Sequence, residues 1–200
     1  NYIFDRGGDQ VLSTGATALV RAAKGGDVAA VRLLLKYKAS VSLPTEEGVT
    51  PLMAAAGTGH GANPTRGRYK TDAEAAQCVA LLVEAGADVN AADPRARRTA
   101  LHAAAAHGWT ATVKALADRG ADLEFADSRG LRPIDHAAGR AERGFLEPEK
   151  APSNETITLL RELIVARTGH QPQEYKGPAL PQAGRTVGSG ADRAQLGAPQ

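Results

Sequence analysis

The sequence has little cysteine and no long apolar run. Cys78 is the only cysteine among 200 residues, so no disulfide can form within the chain, which excludes a disulfide scaffold. Lys and Arg total 24 against 22 for Asp and Glu, and this near balance is not that of an obligate nucleic-acid binder. The longest uncharged stretch of the Ala-rich centre, Thr99–Val113, is too short for a membrane-spanning helix.

Aromatic residues are also scarce. They make up 4% of the chain, whereas apolar residues reach 42% and alanine alone accounts for 40 positions. A core built from so many small side chains suits helices that approach one another closely rather than a large aromatic-filled interior.

An internal repeat is visible in four short segments, which read TALVRAA, TPLMAAA, TALHAAA and RPIDHAA. Their anchors are Leu19, Leu52, Leu101 and Ile134, separated by 33, 49 and 33 residues. A 33-residue period with this T-P-L-H-x-A-A pattern resembles the ankyrin repeat. The middle spacing then indicates an insertion of 16 residues.

The resemblance implies an all-α fold, an ankyrin-type α-solenoid of helix-turn-helix repeats with short β-hairpin-like connections. Gly-Ala-Asp segments at Gly86 and Gly120 mark the ends of second helices and place a long insert inside the second repeat, and the late position of the Leu159–Leu160 pair places another inside the fourth. We expect the array to span residues 1–166, with repeats at about 16–48, 49–97, 98–130 and 131–166, and residues 167–200 to form an extended Gly/Pro-rich tail.

Local signals agree with this arrangement. Pro51 suits a first helical turn, where its missing N–H costs nothing. Thr71 and Glu74 predict a capping box at the start of the long helix of the second repeat. Gly86 and Gly120 predict helix ends with positive φ.

The start of the array lacks the features of a terminal repeat. The second helix of the first repeat carries Val28, Val31 and Leu35, whereas terminal repeats have a polar outer face. Residues Asn1–Asp5 show no signal-peptide pattern. We therefore expect the chain to be the C-terminal part of a longer array.

The resemblance also implies a binding surface formed by the hairpin tips and the exposed positions of the first helices. The tips are acidic in the first connection and rich in arginine later, which fits either a partner with complementary patches or ordinary solvated charge. Thr45 belongs to the first tip. The other candidate residues of this surface are Glu46, Glu47, Arg95, Arg97, Arg98, His107, Arg129 and Arg132.

Two further features are candidates for partner contact. The Gly57–Lys70 insert is Gly-rich and basic, with Arg66, Arg68 and Lys70 around Tyr69, and is either a binding loop or a tolerated elongation. Trp109, the only tryptophan, is either an exposed hot spot or a ring packed across the turn between two helices.

Nothing in the sequence predicts catalysis. No H-x-x-x-H or H-E-x-x-H pair and no phosphate-binding loop occurs, so we predict no catalytic residue, cofactor or metal site. Cys78 falls in a second-helix pattern and is expected in the core. His102 occupies the T-x-L-H position, where the resemblance implies a structural hydrogen bond.

The predicted function is a non-catalytic scaffold that binds another protein. Two alternatives remain open: an accessory structural subunit of a larger hetero-complex, held by its tail and inserts, or the docking arm of a larger enzyme. Nucleic acid is disfavoured because the arginine clusters at Arg66–Lys70 and Arg95–Arg98 belong to opposite ends of the repeats. We expect no membrane insertion, and the compartment, cytoplasm or bacterial periplasm, stays open.

Overall fold

The computed structural model describes residues 11, 15–60, 69–140, 152–173 and 175. Within these residues the only bridge between extended segments is an antiparallel one joining Ala92 and Thr99. The described residues form eight α-helices: α1 (Ala18–Gly25), α2 (Val28–Lys36), α3 (Pro51–Ala55), α4 (Asp72–Glu84), α5 (Ala100–His107), α6 (Thr110–Ala117), α7 (Pro133–Ala137) and α8 (Asn154–Thr168).

The helices form two layers. The first helices of the pairs pack in the order α1, α3, α5 and α7, and the second helices pack in the order α2, α4, α6 and α8. Short hairpin-like turns connect the pairs, because the N–H groups of Thr45 and Asp127 each donate to the carbonyl oxygen four residues ahead. The predicted all-helical solenoid is therefore confirmed.

The helix caps predicted from the sequence are present in the structure. The Thr71 side chain accepts from the Glu74 N–H, and the Glu74 side chain accepts from the Thr71 N–H, which completes the capping box of α4. Pro51 is the first residue of α3. Gly86 and Gly120 adopt φ values of 94° and 88°, so their positions favour glycine.

The start of α6 is capped by a neighbouring repeat. Trp109 precedes α6 and provides no side-chain cap. The Asp72 carboxylate of α4 instead accepts from the N–H groups of Ala111 and Thr112, each at 2.9 Å, and from the Thr112 hydroxyl at 2.7 Å. A cap supplied in this way ties the folding of α6 to the placement of α4.

The core is continuous along the stack. Leu19, Leu52, Leu101 and Leu160 each come from a different helix pair, and all are buried in one apolar cluster. Cys78 is fully buried in the same cluster, as the helical pattern predicts. Because one core spans all four pairs, no pair buries its apolar face alone.

The long connections fall where the residue spacing places the inserts. Residues 56–71 separate α3 from α4, and residues 138–153 separate α7 from α8. The last helix continues to Thr168, so residue 166, the expected end of the array, lies inside α8. Most of the 167–200 tail lies outside the described residues.

Candidate functional site

The hairpin tip after α4 is held by one aspartate. Asp93 Oδ1 accepts from the N–H groups of Arg95 and Ala96 at 3.0 and 2.7 Å. Its Oδ2 accepts from the Arg98 N–H at 2.8 Å. These bonds fix the backbone that carries the three candidate arginines of this tip before any partner arrives.

The next hairpin tip is also held by an aspartate, and this one is more deeply buried. Asp127 is buried, and its Oδ1 accepts from the N–H groups of Arg129 and Leu131 at 2.8 and 3.0 Å. Its Oδ2 accepts from His136 Nε2 at 3.1 Å. Thr45 takes the equivalent position in the first tip and is also buried, so the expectation that Thr45 offers binding surface is wrong.

Several tip charges are paired within the chain. The guanidinium of Arg95 contacts the carboxylate of Glu47 on the neighbouring tip. Arg98 Nε lies 3.6 Å from Oδ2 of the buried Asp127. One charge of the acidic first tip is therefore paired with one charge of the arginine-rich second tip, and Arg98 of the second tip faces the buried carboxylate of the third.

The remaining candidates differ in exposure. Arg132 donates to the backbone oxygen and side chain of Gln173 at 3.0 and 3.1 Å, so the segment after α8 already occupies it. Glu46 and Arg97 are exposed. The guanidinium of Arg97 lies 5.3 Å from the ring centroid of Phe125, which holds this arginine against the surface.

The opposite end of the repeats carries an aromatic cluster of His60, Tyr69, His107 and Trp109. The ring centroid of His60 lies 5.1 Å from that of Tyr69, 5.2 Å from His107 and 4.7 Å from Trp109. The rings of His107 and Trp109 are 4.9 Å apart. Tyr69 of the insert and the neighbouring pair His107 and Trp109 therefore meet in one place, joined by His60, which sequence reasoning missed.

The aromatic cluster joins the Gly57–Lys70 insert to the third repeat. His107 Nε2 hydrogen-bonds the Gly57 carbonyl oxygen at 2.9 Å. Gly57 adopts a φ of 117°, and an added Cβ would lie 2.5 Å from the His107 ring. Trp109 is half-buried among these groups. The structure therefore favours the packed ring over the fully exposed hot spot, and the more exposed ring is Tyr69.

Lys70 is the last residue of the insert, and its side chain lies inside the stack of helices. The side chain is buried, and its Nζ donates to the carbonyl oxygens of Ala23 and Ala54, at the C-terminal ends of α1 and α3. The same Nζ lies 5.5 Å from the Trp109 ring centroid. Lys70 is therefore a structural clamp between two repeats, and the expectation of a basic loop residue is wrong for this lysine.

The burial of Lys70 predicts that the free energy of unfolding changes with pH in the neutral to alkaline range. Burial lowers the pKa of Lys70 to about 7. The unfolded chain binds the proton more tightly, so stability rises with pH between the folded value and the unfolded value of about 10.4. From pH 7 to 9 we expect Lys70 to add about 2 kcal/mol to the free energy of unfolding, measured by urea denaturation.

A substitution isolates this contribution. Lys70→Met should reduce the pH 7 to 9 increase by that amount, whereas Lys36→Met, at an exposed position of α2, should leave it unchanged. An unaltered increase in the Lys70→Met protein would contradict the clamp.

Two buried histidines connect the last two repeats. Thr99 N–H donates to His102 Nδ1, so Nε2 carries the proton and donates to the Leu131 oxygen at 3.3 Å. The His102 and His136 rings meet edge to face at 4.9 Å. Burial lowers the pKa of His102 to about 4 and that of His136 to about 3, so both are neutral near pH 7. The structural role implied for His102 is confirmed.

The described part of the chain offers no metal centre, since none of its residues form a group of three or more His, Cys, Asp or Glu side chains able to hold an ion. None of its helices is both long and apolar enough to cross a membrane. Arg66 and Arg68 lie outside the described residues.

Comparison with known families identifies the repeats. A family model described as ankyrin repeats in three copies matches residues 2–63 and 71–146, and a second model, described as the ankyrin repeat, matches residues 47–94. The matched residues include seven of the eight helices, α1 to α7.

One curated relative also carries ankyrin repeats in its name. Human ankyrin repeat and SOCS box protein 16 is 39% identical over 94 residues, which is 47% of this chain. The match covers 17% of the relative, so the chain corresponds to a small part of that protein.

Proposed function

Because the chain belongs to the ankyrin-repeat family, whose repeats are generally protein-interaction modules, we propose that it is a non-catalytic scaffold that binds another protein. The binding surface in this proposal runs over the hairpin tips and the first helices. It ends at the aromatic cluster, where the first helices end.

The observation that carries the proposal is the hydrogen bonding within the tips. Asp93 and Asp127 each accept several hydrogen bonds from the backbone that follows, so the tips keep their shape without a partner. A surface fixed in advance loses little conformational entropy on binding. Glu46 and Arg97 are exposed on successive tips and offer one charge of each sign to the partner.

The aromatic cluster supports a second contact region, at the opposite end of the first helices from the hairpin tips. Tyr69 is 49% exposed while its ring rests on His60. Tyrosine side chains held in this way provide apolar area and a hydroxyl at low entropic cost, which is common at protein interfaces. The partner suited to both regions has paired charges facing the tips and an apolar edge facing Tyr69.

The two alternative functions, an accessory subunit and the docking arm of an enzyme, predict that the chain is held by its partner in different ways. An accessory subunit would be held mainly by its tail and inserts, and the docking arm of an enzyme would bind a substrate or a catalytic domain. Deleting residues 176–200 separates the first alternative from the proposal, since a surface-bound partner survives the deletion and a tail-bound partner is lost.

The proposal is tested with a partner captured by cross-linking in the source cells and then purified for calorimetric titration. Arg97→Ala and Tyr69→Ala should each weaken binding about tenfold. Arg161→Ala, at an exposed position of α8, should leave affinity unchanged. Equal affinities for the three variants would overturn the proposed surface.

A further inference from the structure

A groove lies between two of the second helices, α6 and α8, and opens to solvent. Its volume is about 580 Å³. The α8 residues that line it include Glu155, Thr158, Leu159 and Glu162, and the α6 residues include Ala111 and Lys114. Because positions i, i+3, i+4 and i+7 share one side of a helix, a continuous face of α8 forms one wall of the groove.

The preceding pair of second helices is joined at the corresponding place. Asp72, the first residue of α4, accepts from the N–H groups of Ala111 and Thr112 at the start of α6. The start of α8 is different, because Ser153, the residue before it, accepts from the N–H group of Thr156. α8 is therefore capped within its own repeat, and the groove lies where a cap joins the two helices in the preceding pair.

Contacts elsewhere fix the two helices that form the groove. Near the end of α8, the guanidinium of Arg167 donates to the carbonyl oxygens of Ala117 and Ala121 at 2.6 and 2.7 Å. Leu160 and Ile164 of α8 are fully buried in the apolar core. The groove is therefore a feature of the packed stack, with an anchored helix on each side.

The walls of the groove select a helical occupant. An extended peptide binds where a sheet edge offers a row of open N–H and C=O groups, and the sides of helices offer no such row. At the starts of α6 and α8, the N–H groups of Ala111, Thr112 and Thr156 already have acceptors in the chain. A helix satisfies its own backbone and can pack an apolar side against two other helices.

The charges on the walls specify the polar residues of that helix. Glu155 and Glu162 are both exposed and lie two turns apart on α8, about 10 Å along its axis. Lys114 is exposed on the opposite wall, so acidic groups outnumber basic ones in the groove. A helix alongside α8 would face both glutamates with basic residues seven positions apart, and apolar residues between these would meet Ala111 and Leu159.

We propose that the groove between α6 and α8 binds an amphipathic helix of a second protein, with two basic residues seven positions apart and apolar residues between them. None of the described residues that line the groove belongs to the hairpin tips or to the aromatic cluster. The groove is therefore separate from the proposed partner-binding surface, and a scaffold with both sites holds two proteins at once.

The test uses a fluorescent synthetic helix of about 15 residues, with two lysines seven positions apart and leucines three and four positions after the first lysine. Fluorescence anisotropy measures its affinity for the 200-residue chain. Glu155→Lys with Glu162→Lys should weaken binding about tenfold and should create binding of a second peptide, in which glutamates replace both lysines. Ala111→Trp, which fills the groove without changing its charge, should also abolish binding. Glu46→Lys makes the same charge change on a hairpin tip and should leave the affinity unchanged, so the result does not depend on the tip surface.

Two results would overturn the proposal. The first is a lysine peptide that does not bind the unaltered chain, or that binds it and the Ala111→Trp protein equally well. The second comes from a photo-cross-linker placed at Thr158, which should join the chain to the lysine peptide. A cross-link to residues 141–151 of the same chain, which lie outside the described residues, would show instead that the groove is filled from within.

Discussion

Replacing Asp127 with alanine should lower the free energy of unfolding by about 3 to 5 kcal/mol, a large part of the stability of a domain of this size. Asp127 is buried, and its carboxylate accepts from two backbone N–H groups and from His136. Removing it leaves the N–H groups of Arg129 and Leu131 without this acceptor, and each unsatisfied buried donor costs about 1 to 3 kcal/mol. Urea denaturation followed by circular dichroism measures the loss.

Asp93 provides the matched control. It accepts three backbone N–H bonds in the preceding tip, but it is only partly buried, so Asp93→Ala should cost about 1 to 2 kcal/mol. A loss of unfolding free energy in Asp127→Ala no larger than that in Asp93→Ala would contradict the role of Asp127 as a buried anchor.

Acidification should destabilise the protein well above the pH at which carboxylates titrate. Burial lowers the pKa of His102 to about 4 and that of His136 to about 3, below the unfolded value of about 6.5. Below pH 6.5 the unfolded chain therefore binds more protons than the folded chain, and stability falls as the pH falls. Between pH 8 and pH 5 we expect a loss of about 2 kcal/mol for each histidine.

The slope of stability against pH identifies the groups responsible. His136→Asn should reduce the slope between pH 6.5 and 4.5 by nearly one proton, whatever its effect on total stability, and His170→Gln, at an exposed position after α8, should not change it. Hydrogen bonds to Asp127 outweigh its burial and keep its pKa below the ordinary value, so its contribution is lost only at lower pH. An unchanged slope in His136→Asn would rule out the buried neutral histidine.

Local chemistry explains why so much of the fold could be predicted. The Thr71 and Glu74 capping box, Pro51 in a first turn and the glycine helix ends depend on residues within four positions of each other. The spacing of Leu19, Leu52, Leu101 and Ile134, which is 33 residues in the first and last intervals and 49 residues in the middle one, carries the same information from one repeat to the next. The order of the helices therefore follows from short-range patterns repeated along the chain.

Contacts between repeats are the part that the sequence could not predict. His60 meets His107 across 47 residues, and Lys70 reaches the Ala23 oxygen across the same separation, so no local pattern pairs them. The pairing of Arg95 with Glu47 likewise depends on the distance between neighbouring tips. A lysine in a basic, Gly-rich insert has the sequence signature of a solvated loop, and only the packed stack shows that it is buried.

The central claim is that partner contacts lie on the hairpin tips and the aromatic cluster. Hydrogen exchange of the chain with and without its captured partner tests this claim most directly. We expect slower amide exchange at residues 93–98 and 127–132 and around Tyr69, with exchange in α4 and α6 unchanged. Protection confined to the outer sides of α4 and α6, with the tips unaffected, would contradict it.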